Sequence, residues 1–217
     1  MPYSLSFPEK CLFYVNIVAM TLWFCCLVRF MVLLPLVGRR FLPGGIADFF
    51  HTVALIPLLT YFVVRITKWN VLKLRKNAVF SWGLFNALHM AWICYGVIYP
   101  HPKIAKHTTY SLILFSWCVL NTIQYAHYAF FVKTKRSPTW LRWSAYNSFY
   151  LTFPLGVIGE LGQIFLSLTF VEEALFLDWS IRLTAVLFVP VAYAFYKHLR
   201  EKAAYHGRPG RNSVARQ

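Results

Sequence analysis

Long apolar runs separated by short polar ones divide the chain into six segments, roughly 11–37, 47–66, 79–99, 108–132, 140–170 and 178–197. Each approaches or exceeds the roughly 20 residues that an α-helix needs to cross the hydrocarbon layer of a bilayer. Helices are the spanning form that satisfies the backbone within one segment. The pattern therefore predicts an all-α, polytopic membrane protein, a six-transmembrane-helix bundle in which residues 1–200 form one membrane domain and residues 201–217 a basic, disordered tail. Polar positions inside the runs fall in stripes. Tyr146, Tyr150, Phe153, Val157 and Glu160 recur at helical spacing, and so do Trp117, Asn121, Gln124 and Tyr128. Both stripes should face other protein rather than lipid, and together line one interior. Gly156, Gly159 and Gly162 recur every third residue beside Pro154, so a neighbouring helix can approach closely and the backbone should kink below Glu160. The first segment is too long for a cleaved leader, and MPYSLSFPEK has no basic n-region.

Composition agrees with this class: 59% of residues are apolar and 13% charged. The five cysteines lie in or at the edge of the predicted spans, which points to packing and not to a disulfide framework or a zinc cluster. A net charge of +15 suggests nucleic acid until its distribution is followed. Sixteen of the 22 Lys and Arg flank the side shared by the N-terminus, second loop, fourth loop and tail, against four on the other side. That bias puts both termini in the cytosol by the positive-inside rule. The charge thus reads first as topology and second as attraction to membrane lipid or to a phosphate-bearing substrate, with no nucleic-acid partner.

Glu160 is the candidate that the pattern isolates, because an ionisable group deep in an apolar span is costly and marks function by default. Its structural role would be to neutralise Arg29 or Arg182, which lie at a similar depth; its functional role would be catalytic, and the two are compatible. His51 and His89 read as hydrogen-bonded bundle residues, and no metal-ligand spacing occurs. The second loop, RITKWNVLKLRKN, alternates bases with apolar residues and should lie at the membrane interface.

The order of WCVLNTIQYAHYAFF, a basic loop, WLRWSAYNSFYLTFPLGVIGE and a last span ending FYKHLREK resembles the very-long-chain (3R)-3-hydroxyacyl-CoA dehydratases, the protein tyrosine phosphatase-like membrane proteins. Asn16 followed by Trp23 is similar to the family's N-terminal Tyr-Asn…Gly-Trp, with Val15 and Leu22 in place of Tyr and Gly. The resemblance implies a six-helix bundle of the endoplasmic reticulum membrane that removes water from a 3-hydroxyacyl-CoA to give the trans-2-enoyl-CoA, with no cofactor and no metal, alongside elongase-type enzymes. It also implies an acid–base pair written Tyr-Pro-x-Gly-x-x-x-Glu, which here is Phe153-Pro154-Leu155-Gly156-Val157-Ile158-Gly159-Glu160. Glutamate and frame are present; the phenol is not. In span four the family's Glu-x-x-Arg-Tyr is replaced by Asn121-Thr122-Ile123-Gln124-Tyr125, and an arginine expected before Tyr146 is Ala145. The phosphatase motif Cys-x5-Arg does not occur.

Three readings follow. In the first, a diverged dehydratase uses Glu160 as base and Tyr150 or a water as acid, in a pocket lined by Tyr146, Asn147, Phe153, Asn121 and Gln124. Lys133, Lys135, Arg136 and Arg142 then hold the phosphates of an acyl-CoA, although they serve equally as topogenic charges. In the second, the fold is recruited to a cyclisation or pericyclic closure of another hydrophobic substrate, such as a polyketide or terpenoid intermediate. In the third it is a non-catalytic partner of elongases. The charge bias makes the topology testable: glycosylation tags or cysteine labelling should place both termini in the cytosol and residues 171–178 in the lumen, and a lumenal tail would contradict it.

Overall fold

The computed structural model describes residues 5–39, 42–69, 82–169 and 175–206. The described residues make six helical passes. The first is α1 (Phe7–Val37), opened by Ser6, whose N–H donates to the Glu9 carboxylate at 3.0 Å, and closed by Gly38. At φ 73° Gly38 takes the left-handed conformation that favours glycine and returns its N–H to the Leu34 carbonyl. The second pass joins a π-helical turn (Leu42–Ile46), α2 (Ala47–Ala54) and α3 (Ile56–Trp69). It breaks at Leu55, next to Pro57, which has no N–H to continue the ladder. The third is α4 (Trp82–Trp92), which widens into a π-helical turn (Ile93–Ile98). A Cβ at Gly96 would lie 2.6 Å from the Trp92 ring, so the glycine is what lets the indole fold over this turn.

After a 3-10 turn (Pro102–Lys106), α5 (Thr108–Thr134) forms the fourth pass, α6 (Thr139–Asn147) with α7 (Phe149–Leu168) the fifth, and α8 (Leu175–His206) the sixth. Four stretches, Phe7–Val37, Leu42–Ile66, Thr139–Leu168 and Phe176–Tyr205, are long and apolar enough to cross a membrane. Trp82–Ile98 is apolar but shorter. α5 is long enough, about 40 Å for its 27 residues. Its row of polar residues reflects its place at the centre, packed between α1 and α7. The all-α, polytopic expectation therefore holds.

The ends of the bundle are defined by contacts. Lys135 pairs with Glu9, and His198 stacks on Trp82 with ring centroids 5.1 Å apart, which gathers the start of α1, the α5–α6 connection, the start of α4 and the end of α8. At the opposite end Arg39 donates to the Thr108 hydroxyl at 2.7 Å and Gln163 to the Ile104 carbonyl at 3.2 Å. Between them Phe50 packs against Trp23, Tyr110 and Trp117, tying α1, α2 and α5 into one aromatic core.

The fifth pass is interrupted at Ser148, and Pro154 lies inside α7. One expectation about local structure changes. The last helix runs past residue 200 to His206, so the first part of the expected tail is helical. Residues 207–217 lie outside the described residues, as do residues 70–81, which hold most of the loop expected at the interface.

Close packing of α7 on α5 depends on two glycines. A Cβ at Gly159 would lie 2.8 Å from the Thr109 carbonyl oxygen and 3.0 Å from the Ile113 nitrogen, and one at Gly162 would lie 2.3 Å from the Thr109 side chain. At Gly162 the obstacle is a side chain, whereas at Gly159 it is backbone, which cannot give way. Gly159→Ala should therefore lower stability by about 1–3 kcal/mol despite alanine's better helix propensity. Gly45→Ala, with nothing within 4 Å of its Cβ, should not. Melting of the two variants in one detergent checks this, and an unchanged Gly159→Ala midpoint would show that the helices are not in contact there.

Candidate active site

Glu160 points from α7 towards α5 and α4, into the space that the small residues of α7 leave open. It is 6% exposed, and each of its oxygens has a partner. The Trp117 indole N–H donates to Oε1 at 2.9 Å, and Nε2 of His89 lies 3.3 Å from Oε2. Trp117 is positioned by Phe50, whose ring centroid is 5.7 Å away. His89 is flanked by Phe85, nearly parallel at 13°, and by Phe188 of α8.

The expected ion pair with an arginine does not form. Arg29 lies over the Phe49 ring, 5.9 Å from its centroid, and Arg182 donates to Asp178 one turn earlier on its own helix at 2.8 Å. Both arginines meet closer partners. An indole N–H and an imidazole meet the buried carboxylate instead.

A cavity of about 1980 Å³ leads to this group. Its rim at the end that gathers the start of α1 and the end of α8 includes Lys135, Arg136, Arg142 and Lys202. Its walls are mostly apolar and aromatic, with Leu120, Val157, Leu187 and Phe188 among them, and its depth holds His89, Trp117 and Glu160. Gly156 keeps the carboxylate approachable. A Cβ there would lie 3.7 Å from Oε1 of Glu160 and 3.8 Å from the Trp117 nitrogen, so a ligand atom can occupy what a side chain would fill.

Of the residues singled out from sequence, Tyr146, Phe153, Asn121 and Gln124 line the cavity together with Glu160. Phe153 packs on Phe195 and Tyr196 of α8, and Tyr146 sits edge-on to His127. The Asn121 amide donates to the Trp117 carbonyl at 2.9 Å. Trp117, Asn121, Gln124 and Tyr128 all face this space, as their stripe implied.

Tyr150 is outside the lining. It is 49% exposed and packs on Phe149. At about 100° per residue it sits some 80° around the helix from Glu160, on the edge of the stripe and not at its centre. Asn147 lies further round still and donates to the Trp143 carbonyl. Lys133 is likewise not on the rim; it lies over the Phe13 ring. Among the described residues no cluster of His, Cys, Asp or Glu suits a metal ion.

Sequence reasoning passed over His89 as a partner for Glu160. A signal was present: the other six acids lie near segment ends, so an imidazole deep in an apolar span had one carboxylate at comparable depth to meet. The arrangement predicts that Trp117→Phe, which strips Oε1 of its donor, lowers stability by roughly 1–3 kcal/mol, whereas Arg29→Gln and Arg182→Gln leave the melting midpoint unchanged. Midpoints measured side by side decide this; an arginine variant that melts with the Trp117 variant would restore the ion-pair account.

Residues 71–204, from before α4 to near the end of α8, match the family model described as protein tyrosine phosphatase-like protein, PTPLA. The chain is similar to the very-long-chain (3R)-3-hydroxyacyl-CoA dehydratase PASTICCINO 2 of Arabidopsis thaliana, 28% identical over 102 residues that cover 47% of this chain and 44% of that protein. It is also similar to the very-long-chain (3R)-3-hydroxyacyl-CoA dehydratase 1 of Mus musculus, 29% identical over 126 residues, 58% of this chain and 41% of that one. The matched stretch thus spans less than half the length of these curated relatives. No solved structure matches. With well over half of its length matched, including His89, Trp117 and Glu160, the chain belongs to the protein tyrosine phosphatase-like (PTPLA) family.

Proposed function

We propose that this protein is a membrane-embedded lyase that dehydrates a 3-hydroxyacyl-CoA, or a closely related lipid-like substrate, to the trans-2-enoyl product. The observation that carries this reading is a single buried carboxylate at the depth of a large apolar cavity whose rim is basic. An acyl-CoA has matching parts: phosphates for the rim, and an apolar chain with its reacting carbons for the interior. In this reading Arg136, Arg142 and Lys202, which line the cavity, meet the phosphates, with Lys135 shared between that task and Glu9. The relatives' description as 3-hydroxyacyl-CoA dehydratases supports the same substrate class.

The reaction asks little beyond placement and proton transfer. A base takes the proton on C2, the C–H electrons become the C2–C3 double bond, and the C3 hydroxyl leaves as water once protonated. It is redox-neutral, so side chains suffice. Glu160 is the base in this reading, with the Trp117 N–H holding Oε1 so that the carboxylate cannot rotate away from the substrate. Phe153 lines the cavity where the family pattern has its tyrosine, and it supplies shape but no proton. We place the protein in the endoplasmic reticulum membrane, rim and termini facing the cytosol, where elongase-type enzymes meet the same pool of acyl-CoA.

The test is turnover. Wild-type protein in lipid nanodiscs, given 3-hydroxyacyl-CoA of long and very long chain, should release trans-2-enoyl-CoA detectable by mass spectrometry. Glu160→Gln should lower the rate by at least about 10²-fold. No product at any chain length, with saturated acyl-CoA still bound, would overturn the dehydratase reading in favour of a repurposed or non-catalytic member of the family.

A further inference from the structure

We infer that His89 is the second catalytic residue of this site, the proton carrier that takes the place of the missing phenol; the inference rests on the dehydratase reading. Elimination needs an acid for the departing hydroxyl as well as a base for C2, and Phe153 supplies none. Among the other proton-carrying side chains of the cavity, the hydroxyl of Tyr125 is engaged with Thr60 at 2.8 Å, Tyr146 lies beyond the interruption at Ser148, and His198 stacks on Trp82 at the rim. His127 and Tyr128 are ten and eleven residues along α5 from Trp117, about 15 and 16 Å from the carboxylate's donor, and Tyr61 follows Thr60 at the level of Tyr125. His89 alone among the described lining residues touches Glu160 through a titratable atom.

Its surroundings fit the task. His89 exposes 24% of its side chain although it lies within the bundle, and it lines the cavity, so that part of the ring is open to a bound molecule. Phe85 and Phe188 flank the ring and limit its rotation, which keeps Nε2 aimed at Glu160. Oε1 of Glu160 is occupied by Trp117, leaving Oε2 and His89 Nε2, 3.3 Å apart, as the two groups that can act on neighbouring substrate atoms. A base and an acid this close reach one face of the substrate, so the elimination is syn.

The step balances within the pair. Oε2 of Glu160 takes the C2 proton, and the electrons of that C–H bond form the double bond to C3. The C3–O bond breaks with its electrons to oxygen, and protonated His89 donates its Nε2 proton there, releasing water. Glu160 is then neutral and His89 has lost its charge. Transfer of the acquired proton from Oε2 to Nε2 across their contact restores the starting state without a further reactant.

The test compares wild type, Glu160→Gln, His89→Gln and His89→Ala in the same nanodisc preparation, with binding of a saturated acyl-CoA as the check of an intact cavity. Glutamine at 89 offers Glu160 a hydrogen bond but cannot relay a proton, so kcat should fall about 10²- to 10⁴-fold with KM within a few-fold of wild type. His89→Ala covers the case in which glutamine disturbs the packing against Phe85 and Phe188. There turnover should fall likewise, and free imidazole should restore it in proportion to its concentration. A His89 variant that binds acyl-CoA and turns over within threefold of wild type, while Glu160→Gln is inactive, overturns the role of His89 and leaves the dehydratase reading standing. Wild-type protein that binds acyl-CoA but never dehydrates it removes both.

Discussion

A carboxylate inside a hydrocarbon layer has to be hydrogen-bonded by protein, because neither lipid nor bulk water is there to do it. Glu160 meets this constraint with an indole from α5 and an imidazole from α4, so three passes must converge within one hydrogen-bond length of a single side chain. Much of the bundle follows from that convergence. α7 comes close enough to α5 only because Gly159 faces backbone where a Cβ would clash. Trp117 holds its orientation because the core around Phe50 leaves its ring one place to lie. α4 is fastened near the same level by the Trp92 indole, which donates to Thr184 of α8 at 3.1 Å.

The same constraint explains why the cavity is lopsided. Small residues and polar groups concentrate on the faces of α5 and α7 that meet at Glu160, and space is left towards α8, where Phe188, Val191 and Phe195 form the far wall. Polar atoms lie at the depth and at the rim, with apolar surface between. In the proposed reading this arrangement suits a ligand that carries charge at one end and little polarity along most of its length. That is a stronger restriction on substrate class than the carboxylate alone provides.

The architecture was legible in the alternation of apolar runs and polar breaks, because crossing a bilayer forces that pattern on any chain. α5 shows the limit of reading it by hydropathy: Asn121, Gln124 and His127 lower its apolarity because they face the cavity. Trp117, Asn121, Gln124, Phe153, Val157 and Glu160, from the stripes of α5 and α7, line one cavity. Helical spacing is local geometry, which sequence carries well. Tyr150 failed because a stripe is wide, and its edge leaves the interior before its centre does. The partner of Glu160 was misjudged for a different reason. Matching opposite charges at similar depth favoured Arg29 and Arg182, but which side of a helix faces which neighbour depends on packing among all six passes. Arg182 had Asp178 within one turn of its own helix, a nearer solution that needs no tertiary contact at all.

In the proposed reading the reacting carbons of an acyl-CoA come to rest between α4 and α7, beside Glu160. An acyl-CoA carrying a photoreactive diazirine at C3, bound to the protein in bilayers and irradiated, reports that position directly. Peptide mapping should find the adduct on the α4 segment that contains His89 or the α7 segment that contains Gly156 and Glu160, and excess unlabelled acyl-CoA should abolish it. Adducts confined to the outer face, around Tyr150 and Trp143, and insensitive to competition would contradict the account.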